Sequence, residues 1–238
     1  MKLMLLHSSG NKVLYDLDKE QIHTKYGILL KSEVNKPYGS ILKAPNGGEF
    51  VVLEPSILDL VEGMKMSSKP IFPYDSGIMA SLLNIKPGKR VLESGTGSGG
   101  FTTYLAELGA VVVTYEKNPD FFKTAQLNLR QYKNVKLLND DVYNAQESGF
   151  DSIFLDLQYP GKAIEALHLK LNPGGFLGVF TPILDDVKPV WETLAELGFS
   201  EIRALQFDVK ELQVKKYLRV KGPLGFPGFF IWARKIKK

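Results

Sequence analysis

The 238-residue chain contains no cysteine and only three histidines, and none of its apolar runs approaches the roughly 20 residues that cross a bilayer. Without cysteine there is no disulfide, thiolate metal ligand or cysteine nucleophile. His7, His23 and His168 lie far apart in sequence and lack the paired spacing of zinc or haem ligands. The first residues also form too short an apolar stretch for a signal peptide. We therefore expect a cytoplasmic protein without a metal site or a membrane segment.

The composition is that of an ordinary globular protein, with 44% hydrophobic and 24% charged residues. The net charge of +4 is unevenly distributed. Residues 1–66 carry eight acidic and eight basic side chains, whereas residues 208–238 carry nine basic and two acidic ones. A local basic excess indicates a polyanionic partner, nucleic acid first, although a solvated lysine-rich tail would give the same pattern.

The sequence indicates two domains. Residues 1–66 contain short apolar runs separated by Pro, Gly and Asn turn signals, which predict a small β-rich domain with a barrel or sandwich arrangement. The stretch Met64 to Ser81 is predicted to be a connector, with Pro70 and Pro73 as breakers. In residues 67–238, short apolar strands alternate with helical patterns from residue 86 onward. This alternation predicts an α/β domain with a doubly wound parallel sheet.

A glycine-rich turn follows the first strand of the second domain. It runs from Glu93 through Ser94, Gly95, Thr96, Gly97 and Ser98 to Gly99 and Gly100. Glycines allow a tight turn and a close approach of a ligand to the backbone. Glu116 ends the next strand, 21 residues after Gly95, where a carboxylate can accept both hydroxyls of an adenosine ribose.

The turn formally matches the dinucleotide pattern G-x-G-x-x-G, so a nicotinamide cofactor is the first alternative. Glu93, however, precedes the first glycine by two positions and is predicted to face the ligand. A carboxylate there suits a ligand that bears an ammonium and a sulfonium, whereas it would repel a pyrophosphate. The flanking segments Ile85–Glu93 and Leu171–Phe176 resemble those of class I S-adenosylmethionine methyltransferases. We therefore favour S-adenosylmethionine as the cofactor.

Two further acids follow strands of the predicted sheet. Asp141, in Asn139-Asp140-Asp141-Val142, stands where a methyltransferase of this class binds the adenine amino group; Asp140 is the alternative. Asp156 begins Asp156-Leu157-Gln158-Tyr159-Pro160, at the usual position of the segment that recognises the substrate. Asp156 is thus the candidate catalytic residue and also a candidate cofactor contact, unless it only caps the following turn.

The chain resembles, over nearly its whole length, the tRNA adenine-N1 methyltransferase family that acts on the T loop. Its glycine turn differs from the family pattern E-A-G-T-G-S-G at one residue, and the final strand Gly228-Phe229-Phe230…Ala233-Arg234-Lys235 is similar to the family's closing strand. The resemblance implies a tRNA substrate methylated at position 58, a class I fold preceded by a small β-rich domain, and a homotetramer.

The predicted substrate contacts are more divergent than the cofactor site. Phe72 stands where the family has a hydroxyl-bearing aromatic residue, and Asp156 to Pro160 lacks the first Pro and the terminal Trp of the family's D-x-P-x-P-W segment. Phe72 and Tyr159 are candidates for stacking on the target adenine. Lys215, Lys216 and Arg219 are candidates for binding the phosphate backbone. The alternatives are a methyltransferase for isoaspartyl protein or small-molecule substrates, and a non-catalytic RNA-binding subunit.

Overall fold

The computed structural model describes residues 2–224 and 228–236, and within it the chain divides into two compact units, Met1–Met64 and Lys65–Lys238. The first unit contains β1 (Lys2–His7), β2 (Lys12–Asp16), β3 (Gln21–Thr24), β4 (Gly27–Leu30), α1 (Lys31–Val34), β5 (Ile41–Lys43), β6 (Glu49–Leu53) and α2 (Ile57–Glu62). An antiparallel sheet of order β2-β1-β6-β5 and the separate hairpin β3-β4 enclose a core around Tyr15 and Phe50. The unit is therefore rich in β structure, as predicted.

The second unit is built around a seven-stranded sheet. Its elements are α3 (Pro73–Leu82), β7 (Arg90–Ser94), α4 (Gly100–Glu107), β8 (Val111–Tyr115), α5 (Pro119–Leu129), β9 (Val135–Leu138), β10 (Phe150–Leu155), α6 (Pro160–Leu167), β11 (Leu171–Thr181), α7 (Val187–Glu196), β12 (Phe199–Gln206), β13 (Val209–Val214), β14 (Leu218–Leu224) and β15 (Phe229–Lys235). The strand order is β12-β15-β11-β10-β7-β8-β9. Strands β7 to β11 are parallel, and β15 is antiparallel to both of its neighbours.

Alternate residues of the central strands face two different cores. Leu92 and Ile153 belong to the core that includes residues of α6 and α7, whereas Val91 and Phe154 belong to the core that includes residues of α3 and α4. A strand that is buried on both faces needs apolar residues at successive positions, which explains the nearly continuous apolar sequence of β7 and β10. The doubly wound α/β sheet predicted from the sequence is confirmed.

Two segments differ from the sequence-based expectation. Residues 73–82, expected to be part of an irregular connector, form α3, because Pro73 occupies the first helical turn, where its missing N–H costs nothing. Strands β13 and β14 form a two-stranded sheet of their own, which the sequence analysis did not predict. No helix in the described part of the chain is long and apolar enough to cross a membrane.

Candidate active site

Two cavities lie at the carboxyl ends of the parallel strands and share Gly95, Phe121 and Asp156 in their walls. The loop cavity has a volume of about 180 Å³ and lies beside the glycine turn. The edge cavity has a volume of about 380 Å³ and lies beside the ends of β8 and β9. Because the carboxyl edge of a parallel sheet is where such folds bind ligands, these cavities form the candidate active site.

The glycine turn packs directly against the segment that follows β10. A β-carbon at Gly95, whose φ is +81°, would overlap the carbonyl oxygen of Asp156. The Asp156 backbone N–H also donates to the carbonyl of Ser94, at 2.8 Å. Only glycine combines this backbone conformation with so close an approach. The predicted cofactor loop therefore packs directly against the backbone of the predicted catalytic acid.

Glu93 lies in the wall of the loop cavity and is only 1% exposed. Burial raises the pKa of its carboxyl to about 7, with smaller contributions from Asp156 and Glu116, while hydrogen bonds from Thr102 and Thr114 oppose the rise. The Thr102 hydroxyl donates to Oε2 at 2.6 Å. Glu93 is thus a buried acid with its own hydrogen-bond donors, located where the sequence predicted a ligand-facing carboxylate.

Glu116 lies in the wall of the edge cavity, and backbone donors fix its carboxylate. The N–H of Gly97 donates to Oε2 at 2.8 Å, and the N–H of Asn118 donates to Oε1 at 2.9 Å. A carboxylate oxygen can accept more than one hydrogen bond, so each oxygen retains acceptor capacity. This geometry fits the predicted contact with two ribose hydroxyls.

The two acids after β9 both reach the edge cavity. Asp140 is exposed, and its Oδ1 accepts from the Asp141 N–H and from the Asn144 side chain. Asp141 is half-buried and accepts from the Tyr143 N–H at 3.2 Å. Both acids therefore keep acceptor capacity, and Asp141 stays the predicted adenine contact with Asp140 as the alternative.

Asp156 is the acid common to both cavities. Burial, together with the charge of Glu116, raises the pKa of its carboxyl to about 7. Glu93 lines one cavity, Glu116 lines the other and Asp156 lines both, so a bound cation would offset the repulsion among these negative charges. These carboxylates fit a ligand with ammonium and sulfonium groups and do not fit a pyrophosphate.

The remaining residues of the turn have mainly structural contacts. Thr96 lines the loop cavity, but its hydroxyl is 2.6 Å from that of Thr114. Ser98 also lines it, and its hydroxyl donates to the carbonyl of Ser68. Gly99 is the N-cap of α4 with φ +90° and is not among the residues of either cavity wall. These residues shape the turn more than they present side chains to a ligand.

The predicted stacking residues lie outside both cavity walls. Phe72 is the N-cap of α3, and its ring centroid is 6.4 Å from that of Tyr74. Tyr159 is 79% exposed and has a left-handed φ of +56° at the N-cap of α6. Such a conformation is strained for a large side chain and often marks a functional segment. Stacking of either ring on a base stays a prediction.

Several cavity residues were not identified from the sequence. Ser68, Lys69 and Ile71 line the loop cavity, and the N–H of Ser68 donates to the Ser98 hydroxyl at 3.1 Å. Phe121 lines both cavities one turn after the Asn118 cap. The helix start at Asn118-Pro119 could have indicated Phe121, whereas only the fold brings residues 68–71 to the glycine turn.

The basic residues near the end of the chain fall into different environments. Lys215 and Lys216 lie in the turn of the hairpin β13-β14, and Arg219 lies in β14; all three are exposed. Lys210 pairs with Asp208, Lys221 with Glu211 and Arg234 with Glu201. The Lys235 ammonium is buried and donates to the carbonyls of His168 and Leu171. Lys237 and Lys238 lie outside the described residues.

A third cavity lies away from this site and involves neither the glycine turn nor Asp156. Its lysine and aspartate, Lys89 and Asp151, pair with each other at 3.0 Å. No three His, Asp or Glu side chains in residues 2–224 and 228–236 are grouped so that they could hold a metal ion.

Comparison with known proteins gives consistent matches. The pattern of the family described as "tRNA methyltransferase complex GCD14 subunit" matches residues 64–223. A tRNA (adenine(58)-N(1))-methyltransferase TrmI of Thermus thermophilus is 33% identical over 185 residues, which are 74% of this chain and 72% of the relative. The crystal structure of TrmI, a tRNA (m1A58) methyltransferase from Aquifex aeolicus, superposes with a TM-score of 0.79 at 28% identity and covers 100% of this chain and 98% of that one.

A SAM-dependent O-methyltransferase from Thermotoga maritima superposes with a TM-score of 0.84, also at 28% identity, and covers 100% of this chain and 93% of that one. The fold is therefore that of the Rossmann-like methyltransferases, with a β-rich N-terminal region, as the sequence predicted. Since the family pattern matches more than half of its residues, the chain belongs to the tRNA methyltransferase complex GCD14 subunit family.

Proposed function

We propose that this chain is an enzyme that transfers a methyl group from S-adenosylmethionine to N1 of an adenine in the T loop of tRNA, with position 58 as the expected target. The observation that carries the proposal is the pair of adjoining cavities whose shared acid is Asp156, in a chain of this family. The names of the Thermus and Aquifex relatives support the same substrate. We propose residues 67–238 as the methyltransferase domain and residues 1–66 as the small β-rich domain.

The cofactor fits the two cavities on chemical grounds. Glu93 would hold the cationic methionine end, Glu116 the ribose and Asp141 the adenine, while Gly95 and Gly97 let the backbone approach the ligand. When bound, S-adenosylmethionine supplies a methyl group that its positive sulfur already activates. The protein therefore needs no strong base, and its task is to orient the acceptor nitrogen and to stabilise charge.

We assign both the orientation of the acceptor nitrogen and the stabilisation of its charge to Asp156. Adenine N1 carries a free lone pair at neutral pH and becomes positive as it is alkylated. The ionised Asp156 can accept a hydrogen bond from the exocyclic amino group, orient the ring and offset the growing charge. Because the pKa of this carboxyl is about 7 before a cation binds, an approaching cation favours the ionised form that this role requires.

Recognition of tRNA is assigned to the hairpin β13-β14. Among the described residues, Lys215, Lys216 and Arg219 make no ion pair, and the charge that they carry at one end of the hairpin suits a phosphate backbone. The target adenine must leave its stacked position before it can enter the site, at a cost of a few kcal/mol. We keep Tyr159 and Phe72 as the proposed aromatic contacts for that base.

A homotetramer is proposed as the functional assembly. The hairpin exposes Leu212, Val214, Tyr217, Leu218 and Val220. A two-stranded hairpin is only marginally stable in water, and apolar side chains clustered on an exposed surface indicate a protein interface. Burial of the face that carries Leu212, Val214, Leu218 and Val220 against other copies of the chain would stabilise the hairpin and cover its apolar side chains, with Arg219 left on the opposite face.

The deciding experiment is incubation of the purified chain with labelled S-adenosylmethionine and unmodified tRNA, followed by nucleoside analysis. The expected product is 1-methyladenosine at a single T-loop position. Label in an added peptide or small molecule, with none in tRNA, would replace the proposed substrate. Binding of tRNA without any transfer would instead indicate a non-catalytic subunit.

A further inference from the structure

Glu93 has neighbours that work against its ionisation. Asp156, after β10, and Glu116, after β8, both raise the pKa of its carboxyl. Lys69, from the segment before α3, is the basic residue in the wall of the same cavity. The largest cause of the rise is burial. A carboxyl in this environment without hydrogen-bond donors would take up a proton at neutral pH and lose its attraction for a cation.

Two buried threonine hydroxyls counteract this tendency. Thr102, in the first turn of α4, donates to Glu93 Oε2 at 2.6 Å. Thr114, in β8, also bonds Glu93 and lies 2.6 Å from the hydroxyl of Thr96. A threonine hydroxyl in a helix can bond a carbonyl of the preceding turn, but that of Thr102 bonds the acid at the end of β7. A donated hydrogen bond favours the ionised form of a carboxyl.

We propose that Thr102 is a positioning residue that keeps Glu93 ionised as the cation-binding group of the loop cavity, and that it thereby sets the pH range over which the chain binds S-adenosylmethionine. This inference rests on the cofactor part of the proposed function. It assigns a role to a helix residue outside the glycine turn.

The direction of the pH effect follows from the charge. The cation binds better when Glu93 is ionised, so affinity should increase as pH rises through about 7, the pKa of this group. Removing the Thr102 donor raises that pKa further. The variant Thr102→Val should therefore bind more weakly than the parent at neutral pH and match the parent in alkaline solution, because Glu93 is then ionised in both proteins and deprotonation of the ligand's own ammonium affects both equally.

The test is calorimetric titration of the full chain with S-adenosylmethionine between pH 6.5 and pH 9. Loss of a hydrogen bond to the ionised form should raise the pKa of the carboxyl by roughly one unit. Thr102→Val should bind about fivefold more weakly at pH 7 and within about twofold of the parent at pH 9, and Thr102→Ser should match the parent at both. An equal loss of affinity at both pH values would overturn the inference, because a packing defect would lower the affinity independently of pH.

Two controls isolate the charge. 5′-Methylthioadenosine lacks both the sulfonium and the ammonium, so Thr102→Val should leave its affinity unchanged; a similar loss for this neutral ligand would contradict the proposal. Thr124→Val is the matched protein control, because Thr124 is also buried in a helix and donates only to the carbonyl of Asp120. Thr124→Val should show the same pH dependence of S-adenosylmethionine binding as the parent.

Asp156 titrates in the same range, so the comparison is repeated in an Asp156→Asn background. The effect of Thr102→Val must persist there; its disappearance would assign the pH dependence to Asp156. Should Thr102→Val fail to fold, Thr114→Val must shift the profile in the same direction, and an unshifted profile would overturn the inference. The titration contains no tRNA, so it tests cofactor binding independently of the substrate. If the parent binds S-adenosylmethionine here but does not methylate tRNA in the separate activity assay, only the proposed substrate is refuted.

Discussion

At the scale of single residues, the candidate site holds three acids in different surroundings. Glu93 lies near the end of β7, whereas Glu116 and Asp156 directly follow β8 and β10, and the hydrogen-bond donors of the three acids differ. Glu116 is held by two backbone N–H groups and Glu93 by threonine hydroxyls. Asp156 has its pKa raised to about 7 and lies where the two cavities meet. It is therefore the acid best placed to contact an acceptor base.

Replacing Asp156 tests that role. Asp156→Ala should reduce turnover on tRNA by on the order of 100-fold, because an orienting and charge-stabilising contact is lost. Parent activity should rise with pH through a midpoint at or below about 7, since bound cations favour the ionised acid. Single-turnover rates across pH provide the measurement. Near-normal turnover in Asp156→Ala, with unchanged binding of both substrates, would exclude the proposed role.

Lys235 shows that charge alone does not predict exposure. Its ammonium is buried, and the burial lowers its pKa. Lys235→Met would leave the carbonyls of His168 and Leu171 without their donor, which should cost about 2 kcal/mol of stability. Urea denaturation measures the loss. Lys216→Met, at an exposed position of the hairpin, is the control and should change stability by less than about 0.5 kcal/mol.

At the scale of elements, helix α5 has a side-chain cap at its N-terminus. Its N-cap, Asn118, accepts from the N–H groups of Asp120 and Phe121 at 2.9 and 3.2 Å. Asn118→Ala should destabilise the chain by about 1 kcal/mol, whereas Asn118→Asp should retain the cap. Thermal unfolding without ligand checks both variants. An equal loss in both would show that the cap contributes nothing and that another contact of the side chain is responsible.

The sequence predicted those features that local patterns determine. Continuous apolar strands, the glycine turn and the position of Glu116 all follow from neighbouring residues. Helix α3 was missed because Pro73 was interpreted as a breaker rather than as a first-turn residue. The part of the cavity wall formed by Ser68 depends on a hydrogen bond to Ser98, 30 residues away, and a contact of that kind has no local pattern.

The hairpin β13-β14 carries a prediction about RNA. The triple substitution of Lys215, Lys216 and Arg219 by glutamine should weaken tRNA binding. It should also reduce the steepness of the salt dependence, because fewer phosphate contacts release fewer counterions. Filter binding at several salt concentrations measures the slope. The matched variant Lys210→Gln/Lys221→Gln removes ion-paired lysines of the same segment and should leave the slope nearly unchanged. An unchanged slope in the triple variant would exclude the hairpin from phosphate binding.

At the scale of the whole molecule, assembly should depend on the same hairpin. Val214 and Leu218 are each 75% exposed and lie opposite each other in its two strands. Val214→Ser/Leu218→Ser should convert the proposed tetramer into smaller species, as measured by light scattering during size-exclusion chromatography. Leu169→Ser is the control, because Leu169 is 72% exposed outside the hairpin. A tetramer that survives the double substitution would place the interface elsewhere.

The contact between Gly95 and the Asp156 carbonyl limits how this protein can diversify. Any side chain at residue 95 would displace the backbone of Asp156, the acid proposed to contact the acceptor, so a substitution there should alter cofactor binding and acceptor chemistry together. Libraries that seek new methyl acceptors should hold this codon constant and vary the exposed positions beyond the cavity walls, of which Tyr159 is one.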